Sequence, residues 1–452
     1  MAQDNRERLK QWLTSGEIRL QPLTFPQREL WECSPVSAAD ASNNICAMIH
    51  VRGLLTPKGS EAAMQRVVDK QEVFRLSFLP GKDGPLQMIR RSGKPVLVFH
   101  DLPVSKHHPE AIEELAQEIF NKPFDLVQGP LYRAEVFRRS ADDHVLVFAI
   151  HHAIADGWTL GVFVQDLFTA YLQGVRGVMT PLPPVRLSYS DWGAGERAFW
   201  QPAELGKRAE YWRSNLADAP RLWSPPANRA ITSGVLQRCV STVPAALGLS
   251  IRELARRNGA TLYSTLLTAF QITISKWTGA DDIVVGTPVA NRGKQAVRET
   301  MGYCSGIVPL RGQIDPQRGF SNSLKEMHRT TVDSFANAMP FAELVRVVGD
   351  TAAVGYNPVF EVRFALQNHP VPDVAVPGLS LQLRMRSTGT ARFDLACEIT
   401  EQGDALEIVW LFRENLFPPD EIGNLSKMYL AALVGVCRLP EILTSTLMTS
   451  LP

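Results

Sequence analysis

Residues 179–192, MTPLPPVRLSYSDW, hold Pro181, Pro183 and Pro184 within four positions near the middle of a 452-residue chain. Proline has no backbone N–H and a fixed φ, so neither a helix nor a central strand runs through such a segment. The chain is divided there, in keeping with a length that implies about two to three domains. On the N-terminal side the pattern gives the strand ICAMIHVRG, the helix TPKGSEAAMQRVVDK and the strands PVLVFH, PLYRAEVFRR and HVLVFAI. A helical run, ELGKRAEYWRSNLADAP, and a second proline joint, SPPANRAITSG (224–234), follow the division. A comparable series then restarts with the strand GVLQRCVSTVP, the helices AALGLSIRELARRNG and TLYSTLLTAFQITISKWTG, and the strand DDIVVGTPV. It ends with VFEVRFALQ, LSLQLRMRS, FDLACEITEQ and ALEIVWLFREN. Two mixed series imply an α/β (α+β) protein of two lobes, 1–180 and 181–452, with the division inside 175–192.

Bulk properties narrow the partners. A net charge of +1 removes any global attraction to nucleic acid or an anionic membrane. The start, MAQDNRERLKQWL, lacks the apolar core of a secretory signal. The longest apolar run, MYLAALVGVC (428–437), is about half of a bilayer span. Six cysteines without CxxC spacing point to free thiols in a reducing compartment, so a cytoplasmic protein is expected.

The stretch FAIHHAIADGWTLGVF (148–163) carries the chemistry. His144 to Ile150 has the apolar, β-branched character of a buried strand. From Trp158 onward, Leu160, Phe163, Val164, Leu167, Phe168 and Tyr171 recur at helical spacing. His151 and His152 therefore lie where a strand ends, and Gly157 lies just before a helix. A second pair, His107-His108 in SKHHPEAIEE, is followed by Pro109 and reads as the solvated start of a helix. Paired histidines alone thus mean little. Adjacent histidines point apart, and Asp156 is four residues beyond His152, which disfavours a metal site. A proton-transfer role explains more, because imidazole with a pKa near 6.5 exchanges protons near neutrality. Asp156 could hold the loop through a buried ion pair, and Gly157 permits torsions or a close approach that a side chain would forbid.

HHAIADG matches the HHxxxDG signature of the condensation domains of nonribosomal peptide synthetases. Further matches follow in the family's order: LTFPQRELWE (23–32), KQEVFRLSF (70–78), PFDLVQGPLYRAEVF (123–137) and YWRSNLADAP (211–220). GATLYSTLLTAFQITISKWTGADDIVVGTPVANR (259–292) resembles a family consensus. MGYCSGIVPLR, MPFAELV, VFEVRFALQN and RFDLACEI complete the series. The resemblance implies a V-shaped pseudodimer of two chloramphenicol-acetyltransferase-like lobes with a tunnel between them. A floor loop would lie at about 288–310, and a latch at about 367–382, QNHPVPDVAVPGLSLQ.

The implied reaction is acyl transfer from a 4'-phosphopantetheine thioester on a donor carrier protein to an amine or hydroxyl. The acceptor would be a second carrier's load or a small soluble molecule, with no bound cofactor or metal. His152 maps to the catalytic position; His151, Asp156 and Gly157 map to the other motif positions, and Arg292 to the arginine that pairs with Asp156. A scaffold ion pair is preferred for Asp156 over a catalytic base, while Gly157 is open between tight geometry and an oxyanion donor. Trp158, Cys304, Ser305 and Asn368 are the tunnel candidates, with Trp158 read as wall. Cys304 is disfavoured as a nucleophile because no histidine accompanies it in a known signature. The family's RHE is Lys70-Gln71-Glu72 here, and its FVNT-like run is Cys304-Ser305-Gly306-Ile307. The second departure tilts the expectation toward a soluble, non-standard acceptor and ester formation. Among relatives, an epimerisation domain and a nonenzymatic recruitment domain are the alternatives; the histidines exclude a cyclisation domain, and a plant-type transferase would need DFGWG. A free-standing monomeric enzyme is expected, though an excised domain would read the same.

Overall fold

A computed structural model describes residues 2–34, 37–82, 84–223, 234–349, 357–367, 374–376, 378–386, 390–391 and 393–451. The strand Asp143–His151 is buried at successive positions, not alternating ones, so both of its faces are covered. Phe148 stacks on Phe163 of the helix Gly157–Val175 at 4.0 Å. That helix packs on Pro57–Lys70, while Pro109–Phe120 also packs against the strand. Asp143–His151 lies inside a six-stranded sheet ordered Val374–Val376, Leu379–Arg386, Asn44–Gly53, Asp143–His151, Tyr132–Ser140, Val98–Asp101.

The first two strands of that order come from the far end of the sequence. Leu379–Arg386 pairs antiparallel with Asn44–Gly53 from Leu379 opposite Gly53 to Arg386 opposite Cys46. Within the 367–382 segment, 374–376 and 379–382 therefore lie on the sheet whose strand ends in the histidines, whereas Gln367 ends the strand Val362–Gln367 of a second sheet. Residues 368–373 and 377 of it, Asn368 among them, lie outside the described residues.

A seven-stranded sheet is built from Gly306–Gln313, Asp282–Val289, Val362–Gln367, Leu395–Gln402, Ala405–Arg413, Gly234–Val243 and Thr390–Ala391, in that order. Leu262–Thr278, Phe320–Ala336 and Pro419–Arg438 cover it. The last contains the apolar run at 428–437, and its buried Leu425, Tyr429, Leu433 and Val436 mark a core-facing stripe. No helix among the described residues is long and apolar enough to cross a membrane.

Among the described residues, buried apolar side chains form two clusters. One surrounds the six-stranded sheet and also takes in Leu182, Tyr189, Trp192, Met301, Tyr303 and Cys304; the other surrounds the seven-stranded sheet. The helix Phe25–Glu32 meets Phe341–Val348 through Arg28–Glu343 at 2.9 Å and Arg346–Glu32 at 2.7 Å.

Two expected strands are shorter than their apolar runs. The strand at 95–100 begins only at Val98: Pro95 has no N–H to give, and the Val96 N–H donates to the Tyr132 hydroxyl at 2.9 Å. VFEVRFALQ begins pairing at Val362, because the N–H groups of Val359 and Phe360 donate to the Asn357 side chain at 3.0 and 3.1 Å.

Candidate active site

At the end of the strand, the two histidines part company. His151 is fully buried; its Nδ1 accepts the Ala153 N–H at 3.1 Å, and its Nε2 lies 2.8 Å from the Ala38 carbonyl. With Nδ1 accepting, the proton sits on Nε2 and donates to that carbonyl, so this network assigns a neutral imidazole in one tautomer. His152 begins the short turn His152–Ile154 and is half-buried. Its ring meets Tyr303 edge-on, with centroids 4.2 Å apart.

Asp156 caps the helix Gly157–Val175 and is 3% exposed. Its Oδ1 accepts the Thr159 N–H at 3.0 Å, with the Thr159 hydroxyl also at 3.0 Å. Its Oδ2 accepts the N–H groups of Cys304 at 3.1 Å and Ser305 at 3.2 Å. The Nη2 of Arg292 donates to both oxygens at 3.1 Å. A carboxylate offers about four lone-pair directions, and all are engaged here.

The Arg292 side chain is 1% exposed. Its Nη1 donates to the carbonyls of Val297 at 2.8 Å and Thr300 at 2.6 Å, and its Nη2 also to Gly302 at 3.0 Å. Burial works against its charge, but Asp156 outweighs that and holds its pKa above the usual value. Asn291, with φ 52°, turns the chain just before it, and asparagine tolerates that left-handed conformation. The segment 297–305 is thus wrapped round one buried ion pair that ties it to the HHxxxDG loop.

Neighbouring residues tighten the wrap. Gly302 lies against Tyr189, so close that an added Cβ would stand 2.2 Å from the ring. The Tyr189 hydroxyl donates to the Tyr303 carbonyl at 3.0 Å, and burial drives its pKa well above the usual phenol value. Trp158 Nε1 donates to the Arg298 carbonyl at 2.9 Å, and the Arg292 guanidinium lies 5.8 Å from its ring. Beside this wrap, a cavity of about 60 Å³ opens between Phe25, Glu196, Asn291, Ile307 and Phe341. Burial raises the Glu196 pKa, although Trp200 donates to its carboxylate at 3.1 Å. Among the described residues no three His, Cys, Asp or Glu side chains are gathered as a metal site.

Residues 17–450 match the Condensation domain family. The chain belongs to that family. Phosphinothricin tripeptide synthetase PhsC of Streptomyces viridochromogenes is 30% identical over 418 residues, 90% of this chain and 38% of that protein. Malpibaldin synthetase of Mortierella alpina is 28% identical over 390 residues, 85% of this chain and 7% of that protein. This condensation domain thus spans well under two thirds of those relatives. In fold it resembles the X-domain from teicoplanin biosynthesis, with a TM-score of 0.83, 20% identity and coverage of 94% of this chain and 96% of that one. It also resembles the first condensation domain of the calcium-dependent antibiotic synthetase in complex with a substrate analogue, at 0.79, 18%, 94% and 98%.

The condensation domain brings His151, His152, Asp156, Gly157, Trp158, Arg292, Cys304 and Ser305 into one neighbourhood. Gly157 is the first residue of its helix and is not among the positive-φ glycines, so left-handed torsion does not explain it. Cys304 is fully buried in the first core and contributes through its backbone. Burial drives its thiol far above the usual range, against the opposing pull of Arg292, so it is no thiolate at neutral pH.

Sequence reading missed Tyr303, Thr159 and Gln71. Thr159 had a signal, since it stands three residues after the cap Asp156 in a capping box. Gln71 occupies one of the positions that departs from the family's RHE. Its Nε2 donates to Asp166 at 2.9 Å and to the Glu299 carbonyl at 3.0 Å, and its Oε1 accepts the Met301 N–H at 3.1 Å. That departure is a further tie to the wrapped segment.

Proposed function

We propose that this condensation domain transfers an acyl or peptidyl group from a carrier-bound pantetheine thioester to an amine or hydroxyl. The acceptor nitrogen or oxygen attacks the thioester carbonyl, the C–S bond breaks, and the thiol leaves carrying a proton. The observation that carries this reading is the division of labour within the motif. Both His151 nitrogens hold the fold, and the Asp156 carboxylate is saturated by backbone N–H groups and Arg292. His152 is the half-buried imidazole of the pair, beside Tyr303.

In this reading His152 takes the acceptor's proton or orients the attacking group, and Asp156 acts as scaffold. The thioester is already activated, so positioning supplies much of the acceleration. Gly157 presents an N–H in the first helical turn, where no intrahelical partner exists. A developing oxyanion is the chemistry that such a donor suits. Because Cys304-Ser305-Gly306-Ile307 departs from the family's FVNT-like run, this reading takes a soluble amine or alcohol as the acceptor.

The test mixes the protein with acyl-loaded donor carrier and either a loaded acceptor carrier or free amines and alcohols, and follows carrier mass. Acyl loss that requires an acceptor and His152 supports the proposal. An unchanged donor with every acceptor overturns it. Stereochemical inversion without acyl loss would favour an epimerisation domain. The likeness to the X-domain, which has been solved in complex with OxyB, makes capture of a partner enzyme without turnover the remaining outcome, and that also overturns the proposal.

A further inference from the structure

The helix Leu262–Thr278 is buried at every position from Ser264 to Ser275, yet it carries Gln271 at its centre. Gln271 is 0% exposed. Its Nε2 donates to the Leu310 carbonyl at 3.3 Å and more distantly to that of Ile283 at 3.5 Å, while its Oε1 receives no hydrogen bond from the described residues. A buried amide oxygen left in that state is costly, and native cores rarely keep one without a use. The oxygen lies over Gly312, where an added Cβ would come within 2.3 Å of it.

Gln271 and Gly312 line a cavity of about 280 Å³ between this helix, the strand Gly306–Gln313 and the helix Phe320–Ala336. Asn215, at the end of Pro202–Asn215, supplies a second buried amide oxygen with no donor among the described residues. Ser214, Ser323 and Thr330 add hydroxyls. Both charged side chains on the wall are already paired. Arg311 donates to Asp282 at 2.8 and 2.6 Å and to the carbonyls of Asn215 and Ala217, and Glu326 pairs with Arg318. None of these residues belongs to the Asp156–Arg292 wrap.

We infer that this cavity is a second ligand site, for a neutral polyhydroxylated molecule of monosaccharide or cyclitol size. Paired wall charges disfavour an ionic ligand, and two unmet amide oxygens ask for donors. The assignment survives a flipped amide, because a hydroxyl both donates and accepts. The volume of about 280 Å³ is near the lower bound of about 300 Å³ for small-molecule pockets.

The test titrates the full chain with myo-inositol and methyl glucoside by calorimetry, alongside putrescine and inorganic phosphate. Saturable one-site binding of a polyol is expected. Gln271→Leu should weaken it about tenfold, the effect of one lost hydrogen-bonding partner. Thr330→Trp, on a half-exposed helix face, should block the mouth and abolish it even if Gln271→Leu fails to fold. No saturable binding of either polyol at millimolar concentrations overturns the inference. So does polyol binding that Thr330→Trp leaves intact, or a preference for putrescine or phosphate.

Discussion

Two adjacent-histidine pairs occupy similar places in this fold, each where the chain enters a helix or helical turn, yet they use their imidazoles differently. In His107-His108 the second histidine is the cap: its Nδ1 accepts the Ala111 N–H at 3.2 Å at the start of Pro109–Phe120. The first lies 2.9 Å from the Leu102 carbonyl. In His151-His152 the first histidine is the cap, fully buried between Ala38 and Ala153. The second is thereby held beside Tyr303 at the edge of the wrapped segment. The difference lies in which histidine of the pair carries the cap and in how deeply that cap is buried. Identical dipeptides do not determine it.

Stability measurements can break that contrast, and equilibrium urea denaturation reads each one. Asp156→Asn should cost most, about 3–5 kcal/mol, because Arg292 would remain as a buried charge without its partner. His151→Ala should cost about 2–4 kcal/mol, since the Ala38 carbonyl and the Ala153 N–H lose their partner in a buried place. His108→Ala, at an exposed cap, should cost under about 1 kcal/mol. Equal losses at His151 and His108 would dissolve the distinction.

His144, on the same strand as His151, sharpens it through pH. It is fully buried, and among the described residues neither ring nitrogen has a hydrogen-bond partner. Burial first, and Arg138 next, lower its pKa, while Asp143 and Asp142 act in the opposite sense. The unfolded chain therefore binds a proton at a higher pH than the folded one. Stability from this group is present above about pH 6.5 and falls as pH drops through the lowered folded value. His144→Leu should flatten that acid-side slope in denaturation midpoints measured from pH 7.5 to 5. An unchanged slope would mean that the ring is not the group being titrated.

The strand-loop-helix unit at 144–171 was legible because burial on both faces leaves a continuous apolar run, and helical spacing starts abruptly after Gly157. Family motifs carried the Asp156–Arg292 pair across 136 residues of sequence, which no local period could do. Tyr303 stayed hidden because its contact with His152 is set by tertiary approach. Gln71 stayed hidden because a changed motif residue reads as loss until its hydrogen bonds are seen. The shortened strands at Val98 and Val362 failed because a side chain outside the run had claimed backbone amides at its start, the distant Tyr132 in the first and the nearby Asn357 in the second.

The most direct measurement of the proposed chemistry compares acyl transfer from a loaded donor carrier by wild type and His152→Ala, with the melting temperature of each recorded. The expected result is a rate lower by about 10²–10⁴-fold with an unchanged melt, the range for loss of a general acid–base group. An unchanged rate in a folded His152→Ala protein would contradict the assignment of His152 as the group that handles the acceptor's proton.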